Sequence, residues 1–330
     1  MEDIIDVADL DCVYLTYNEP QKEEFWVKIQ NMVPWAVRVD GVKGSDAAHK
    51  AAADAVDTDR FILIDGDNMP DPEFFNQQLH LTDRNYNKVF RWKARNHING
   101  LMYGNGGMSS WTKEFVYNMK THEASDGSDD TAVEFCFDKD YWAMHDCFST
   151  TYPNATAEQA WRAGFREGVK MCLNRGTKPT IEEFEANVVK RNYDHLCIWM
   201  SIGDDVENGA YARAGAMLGT YLTMIGDHNR FRDFDYRNVQ DFDVLESLWA
   251  EFDAYISEIS TEMSMDSNHR NGIDIFMQKI GKTLKNRLSL NIHSFDAEAS
   301  KFFKHHYKAQ FHNKGIMVSE MDVIRGIEGW

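Results

Sequence analysis

The sequence predicts an α/β protein: a mostly parallel sheet with helices on both faces, followed by a largely helical C-terminal region. Three observations carry this. Apolar strand-like runs alternate with helical ones over the first 110 residues, several of these strands end on Asn or Asp, and beyond about Ala155 the pattern turns almost wholly helical. A β-α-β-α-β order favours parallel strands joined by right-handed crossovers. Ligands of such sheets gather at the carboxyl ends of the strands, where Asn18, Asp40, Asp65 and Asp67 fall.

The elements follow in order. DCVYLTYN (11–18) reads as a buried strand with a polar end. EPQKEEFWVKIQNM (19–32) reads as a helix, with Phe25, Ile29 and Met32 on one face at i, i+4 and i+7. WAVRVDG (35–41) is a second strand closed by Asp-Gly, and SDAAHKAAADAV (45–56) an alanine-rich helix with Ser45 or Asp46 as its N-cap. RFILIDGDN (60–68) is a third strand. PDPEFFNQQL (70–79) starts a helix with proline near its first turn, and KVFRWKARN (88–96) is a fourth strand. The best boundary is GDHNRFRDFDYRN (226–238), so 1–225 is expected to be the catalytic domain and 226–330 a helical C-terminal region.

Composition narrows the class. With 43% hydrophobic and 27% charged residues in 330, the chain has material for a sizeable core. The longest uncharged apolar-leaning run, Ala214–Gly226, is too short to cross a bilayer. The acidic N-terminus lacks the basic and apolar regions of a signal peptide, so a cytoplasmic location without membrane contact is expected. The five cysteines (12, 136, 147, 172 and 197) are odd in number and form no CxxC pair, which favours free thiols. The net charge is −18, yet Lys279–Lys314 carries +6. Such asymmetry marks either a local polyanion site or a solvated helical face.

FILIDGDNMPDPEFF (61–75) holds the most informative pattern. A buried strand does not tolerate bare carboxylates, yet this one ends in Asp65 and Asp67. Residues i and i+2 of a strand point the same way, so both can reach one divalent ion. Mg²⁺ and Mn²⁺ commonly use one or two carboxylates and complete their shell with phosphate oxygens and water.

This stretch resembles the DxD segment of GT-A nucleotide-sugar glycosyltransferases, especially the family 2-like group. VYLTYNEP resembles the group's opening strand, RVDGVKGSDAAHKAAADAV its second strand and the helix behind the donor, and GLMYGNGGMSSW its glycine-rich segment. The likeness covers about a third of the chain, Asp11 to Ser110. It implies a GT-A fold, Mn²⁺ or Mg²⁺ on Asp65 and Asp67, and a nucleotide-sugar donor, a UDP-sugar in the expected case. Thr16, Tyr17, Asn18 and Asp40 would surround the nucleoside and Lys43 would sit near the phosphates, although Asp40 and Lys43 also suit an ordinary Asp-Gly turn. Asn105, Gly106 and Gly107 would line the sugar side.

The resemblance also asks for a base from an acidic segment after the glycine-rich loop. DKDYWAMHDCFS offers Asp138, Asp140 and Asp146, of which Asp146 is favoured because aromatic neighbours would desolvate it. His145 beside it reads as a core histidine or a second ligand. His228 is the candidate for a third metal ligand. On AWRAGFREGVK, Trp161, Phe165 and Val169 form an apolar stripe edged by Arg162, Arg166 and Lys170. These cations suit a diphosphate or a surface face paired with Glu158 and Glu167. Arg91, Lys93 and Arg95 share one face of their strand by alternation and should lie near the site.

The GNGG and RAGFREGVK segments resemble phage-encoded relatives. With no membrane anchor and a basic C-terminal patch, the expected acceptor is a hydroxymethylated pyrimidine such as 5-hydroxymethylcytosine in phage DNA, modified in the infected host cell. A protein or glycan acceptor, a metal-dependent nucleotidyltransferase and a non-catalytic sugar-nucleotide-binding module are the alternatives. The aromatics Phe302, Phe303, Tyr307 and Phe311 within the basic segment fit a helix core as well as a nucleic-acid contact.

Overall fold

A computed structural model describes residues 2–103, 107–119, 121, 140–174, 176–188, 190–226, 228–231, 234–262 and 269–312. The described residues form two compact units. One takes the described residues of 2–97, 102–129 and 135–152, the other those of 98–101 and from 153 onward. The break suggested at 226–238 therefore falls inside the second unit.

The first unit carries the strands. They are β1 (Glu2–Asp6), β2 (Asp11–Thr16), β3 (Val37–Asp40), β4 (Arg60–Asp65), β5 (Asn68–Pro70), β6 (Gln78–Thr82), β7 (Val89–Asn96), β8 (Met102–Tyr103), β9 (Met108–Thr112) and β10 (Tyr141–Thr151), with helices α1 (Lys22–Met32), α2 (Ser45–Asp54) and α3 (Lys113–Asn118) among them. The main sheet runs β3-β2-β4-β9-β7-β10-β5, with β8 beside β7. β2 is parallel to β3 and β4, and β10 to β7, but β9 is antiparallel to both of its neighbours and β5 antiparallel to β10. The sheet is thus mixed and not mostly parallel. The periodicity of MSSWT marks a strand, but its direction is set by where the chain re-enters the sheet, between β4 and β7.

Two apolar layers hold this sheet. On one face Ile29 and Phe25 of α1 pack with Tyr14, Ile62, Ile64, Trp92 and Met108. On the other, Ala52, Ala53 and Val56 pack with Val13, Phe61, Leu63 and Trp111. Phe61–Ile64 of β4 are each at most 1% exposed, as a central strand covered on both faces requires. The N-cap of α2 is Gly44, at φ 95°, in place of Ser45 or Asp46; that backbone region favours glycine. The helix expected over 70–79 is a single 3₁₀ turn, Pro72–Asn76, capped by Asp71. After it, Leu79 and Leu81 alternate with exposed Gln78 and His80, a two-residue period that pairs β6 with β1.

The second unit is helical: α4 (Ala157–Lys170), α5 (Phe184–Asn187), α6 (Lys190–Ser201), α7 (Gly209–Met224), α8 (Phe242–Glu262), α9 (His269–Leu288) and α10 (Ala297–His312). Thr156 caps α4 by accepting from the Gln159 N–H. Trp161, Phe165 and Val169 are fully buried, as their spacing predicts. α4 meets α7 backbone to backbone. A Cβ on Gly164 or Gly168 would run into the carbonyl oxygens of Ala212 and Ala216, and one on Gly215 or Gly219 into those of Trp161 and Phe165. Gly164→Ala should therefore destabilise the helical unit by about 1–3 kcal/mol in chemical denaturation. Ala250→Ser, exposed on α8, should change it little. Equal midpoints for the two variants would contradict this packing.

Candidate functional site

The carboxyl ends of β2, β3 and β4 bring two acidic centres together with different surroundings. At the first, Asp40 accepts from Thr16 Oγ1 at 2.6 Å and pairs with Lys22 Nζ at 2.7 Å. Lys22 also donates to the Tyr17 carbonyl at 2.7 Å. Arg38 reaches Thr16 Oγ1 at 3.1 Å and is held by Glu23 through two bonds of 2.7 and 2.8 Å. Partial burial pushes the Asp40 carboxyl up, but the Lys22 and Thr16 hydrogen bonds and the Arg38 charge outweigh it, leaving its pKa below the ordinary value. Asp40 is an acid that is already compensated.

Asp65 is the opposite case. Its side chain is exposed, and Gly107 lies against its carboxylate. Loss of hydration raises its pKa from 3.8 to about 7, the Asp67 and Glu19 charges add to the rise, and Arg91 opposes it. Three contacts shape the turn that carries the pair. Tyr14 OH donates to the Gly66 carbonyl at 2.7 Å. Glu19, whose Oε2 accepts from the Tyr17 N–H at 2.8 Å, lies against Gly66 so closely that a Cβ there would come within 2.6 Å of its carboxylate. The Asp67 carbonyl accepts from the Tyr152 N–H at 2.8 Å, tying the turn to the end of β10.

Gly107 supplies the remaining wall. Its carbonyl accepts from the Asp65 N–H at 2.7 Å. A Cβ on Gly107 would meet Asp65 Oδ2 at 2.8 Å and Asn68 Nδ2 at 2.7 Å, so only glycine leaves room for both side chains. Ser109 of β9 pairs with Arg91, and Gly107 stands two residues before it. Arg91, Lys93 and Arg95 do share one half-buried face of β7, while Trp92, Ala94 and Asn96 are buried on the other. Arg91 stacks its guanidinium over the Tyr141 ring at 4.5 Å, and Arg95 donates to Met102 Sδ at 3.3 Å. A carboxylate pair with cations two strands away can receive both a divalent ion and the anion that ion carries. Among the described residues no three His, Cys, Asp or Glu side chains form a closed metal cage.

The other expected residues are distributed as follows. Thr16 is buried in the Asp40 cluster, and Tyr17, Asn18 and Lys43 are exposed around it. Asn105, Gly106, Asp138 and Asp227 lie outside the described residues. Asp146 is exposed on β10, between Ala143 and Cys147, where the pairing with β7 shifts register. This exposure stands in place of the enclosure expected from its aromatic neighbours.

Arg162 and Arg166 belong to the helical unit and have partners there. Arg162 sits 4.0 Å from Glu158 and over the Phe242 ring at 4.9 Å, and Arg166 donates to Gln240. Lys170 pairs with Glu167 at 3.0 Å. His228, also in that unit, is ringed by Tyr221, Phe231 and Tyr255, and its Nδ1 accepts from the Arg230 N–H at 3.2 Å. Burial, with the Lys279 and Arg230 charges, pushes its pKa down and keeps it neutral. Tyr14, Glu19, Lys22, Arg38 and Asn68 are the site residues that sequence reasoning did not single out. Glu19 had a signal, standing in the same TYNE run as Thr16, Tyr17 and Asn18; the others depend on contacts across the fold. Compared with protein-family models and with curated proteins, the chain matches none.

The Asp65 carboxyl has a folded pKa of about 7 against an ordinary 3.8. The folded protein therefore keeps a proton that the unfolded chain has lost, and stability falls as pH rises between those values. Asp65→Asn should flatten that part of the melting temperature profile, measured without divalent ions from about pH 4 to about pH 8. Parallel profiles for the two proteins would refute the assignment.

Proposed function

We propose that the chain is a metal-dependent glycosyltransferase of GT-A type that moves a sugar from a nucleotide-sugar donor to a hydroxyl acceptor. The observation that carries this reading is the accessible but crowded Asp65 carboxyl, beside Asp67 at the end of a buried central strand, with a pKa lifted to about 7. A divalent cation there would relieve the repulsion between the acids and stabilise the charge of a departing nucleoside diphosphate. Arg91 and Lys93 stand ready for the diphosphate oxygens, and the Thr16–Asp40–Lys22 cluster for the nucleoside. In the transfer, the acceptor oxygen bonds to the anomeric carbon, the bond from that carbon to the diphosphate breaks, and the acceptor proton passes to a base. Asp146, exposed and therefore free to meet an acceptor, is the candidate for that base.

For the acceptor we propose a hydroxymethylated base in DNA. Lys279, Lys282, Lys285 and Arg287 are exposed along α9 and supply the positive surface a phosphate backbone requires. Phe303 is buried and therefore belongs to the helical core, whereas Phe302 is 47% exposed.

Incubation of the protein with UDP-sugars and Mn²⁺ should release UDP, and Asp65→Ala or Asp67→Ala should reduce that release about 100-fold. Release of pyrophosphate from a nucleoside triphosphate would instead point to nucleotidyl transfer, and absence of turnover to a binding module. Gel mobility of DNA should show binding that weakens as salt rises. Binding that is absent or insensitive to salt would redirect the acceptor to a protein or glycan.

A further inference from the structure

Asn68 is wholly buried, and neither its Nδ2 nor its Oδ1 has a hydrogen-bond partner among the described residues. Leaving one such group unsatisfied costs about 1–3 kcal/mol. A position that retains it invites a functional reason.

Its location supplies one. Asn68 opens β5, opposite Thr151 of β10, and follows Asp67 directly. Its Nδ2 and the Oδ2 of Asp65 come to within 2.7 and 2.8 Å of the same point, the space that a Cβ on Gly107 would occupy. The carboxamide and the Asp65 carboxylate thus both border Gly107, the one residue small enough to admit both. A half-turn of the carboxamide exchanges Nδ2 for Oδ1. An amide oxygen is a hard donor of the kind that oxygen-seeking divalent ions accept. It also adds no negative charge to a place where two carboxylates already repel each other.

We propose that Asn68 Oδ1 is a third protein ligand, on the floor of a divalent-cation site whose other ligands are Asp65 and Asp67. This rests on the reading of those aspartates as metal-binding. It assigns the unsatisfied carboxamide and the requirement for glycine at 107 to a single cause.

The test is direct Mn²⁺ binding by the full chain in the presence of UDP, read from the electron paramagnetic resonance signal of free Mn²⁺. Asn68→Leu keeps the side-chain shape but removes the donor, and should weaken Mn²⁺ about 10–100-fold. Asn68→Asp keeps an oxygen donor and should bind at least as tightly as the wild type. Circular dichroism establishes that each variant is folded. Wild-type affinity in Asn68→Leu, with binding still abolished by Asp65→Ala, would overturn the role of Asn68 and leave the metal reading standing. A folded Asn68→Asp that fails to bind would likewise overturn it. If Asp65→Ala binds Mn²⁺ as the wild type does, the metal reading itself fails and the Asn68 ligand with it.

Discussion

A carboxyl group set at the end of a buried central strand, with its pKa raised to about 7, is the constraint around which the strand-bearing unit is arranged. β4 is covered on both faces along Phe61–Ile64, then leaves Asp65 exposed within one residue. No local feature could hold a carboxylate there. The turn is fixed instead from three other directions: Tyr14 grips the Gly66 carbonyl, Glu19 presses on Gly66, and Gly107 on β9 makes room for the acid and for Asn68. The two glycines act through their lack of a Cβ, which allows backbone and carboxylate to approach more closely than any other residue would.

The contrast with other acids gives this meaning. Asp40, two strands away, has Thr16 and Lys22 on one oxygen. In the helical unit Asp204 is shared between Arg213 at 2.6 Å and Arg270 at 2.5 Å, and Asp205 pairs with Lys304 at 2.6 Å. Partners of that kind offset the desolvation of a carboxylate within the protein itself. At Asp65 the nearest opposing influence, the charge of Arg91, is too weak to reverse the rise in pKa. The same chain therefore holds acids paired with cations inside the fold and an acid whose pKa is raised.

The helical unit solves a different problem by related means. α4 and α7 are joined through four glycines whose missing side chains permit direct backbone contact. The cations that edge α4 find glutamate, glutamine or an aromatic ring within the unit. RAGFREGVK, a motif that suggests phosphate binding when read as sequence, is thereby a packing element first. His228 makes the same point, since a histidine beside an aspartate in sequence proves to be the centre of an aromatic cluster.

Periodicity alone determined a good deal. The two-residue period of β7 placed Arg91, Lys93 and Arg95 on one face, and the helical period of α4 buried Trp161, Phe165 and Val169. The run of Phe61–Ile64 into two aspartates located the centre of the candidate site. These are properties of a residue and its near neighbours, and a chain carries them before it folds. Only the tertiary structure decided that β9 runs antiparallel, that β6 is a strand paired with β1, that Asp40 is neutralised and Asp65 is not, and that Asp146 faces outward. Each of those outcomes depends on atoms tens of residues away: the Lys113 N–H meets the Asp59 carbonyl just past the end of β9, and Gly66 meets Tyr14. Pairing direction and charge compensation are properties of neighbours in space, and a one-dimensional pattern does not contain them.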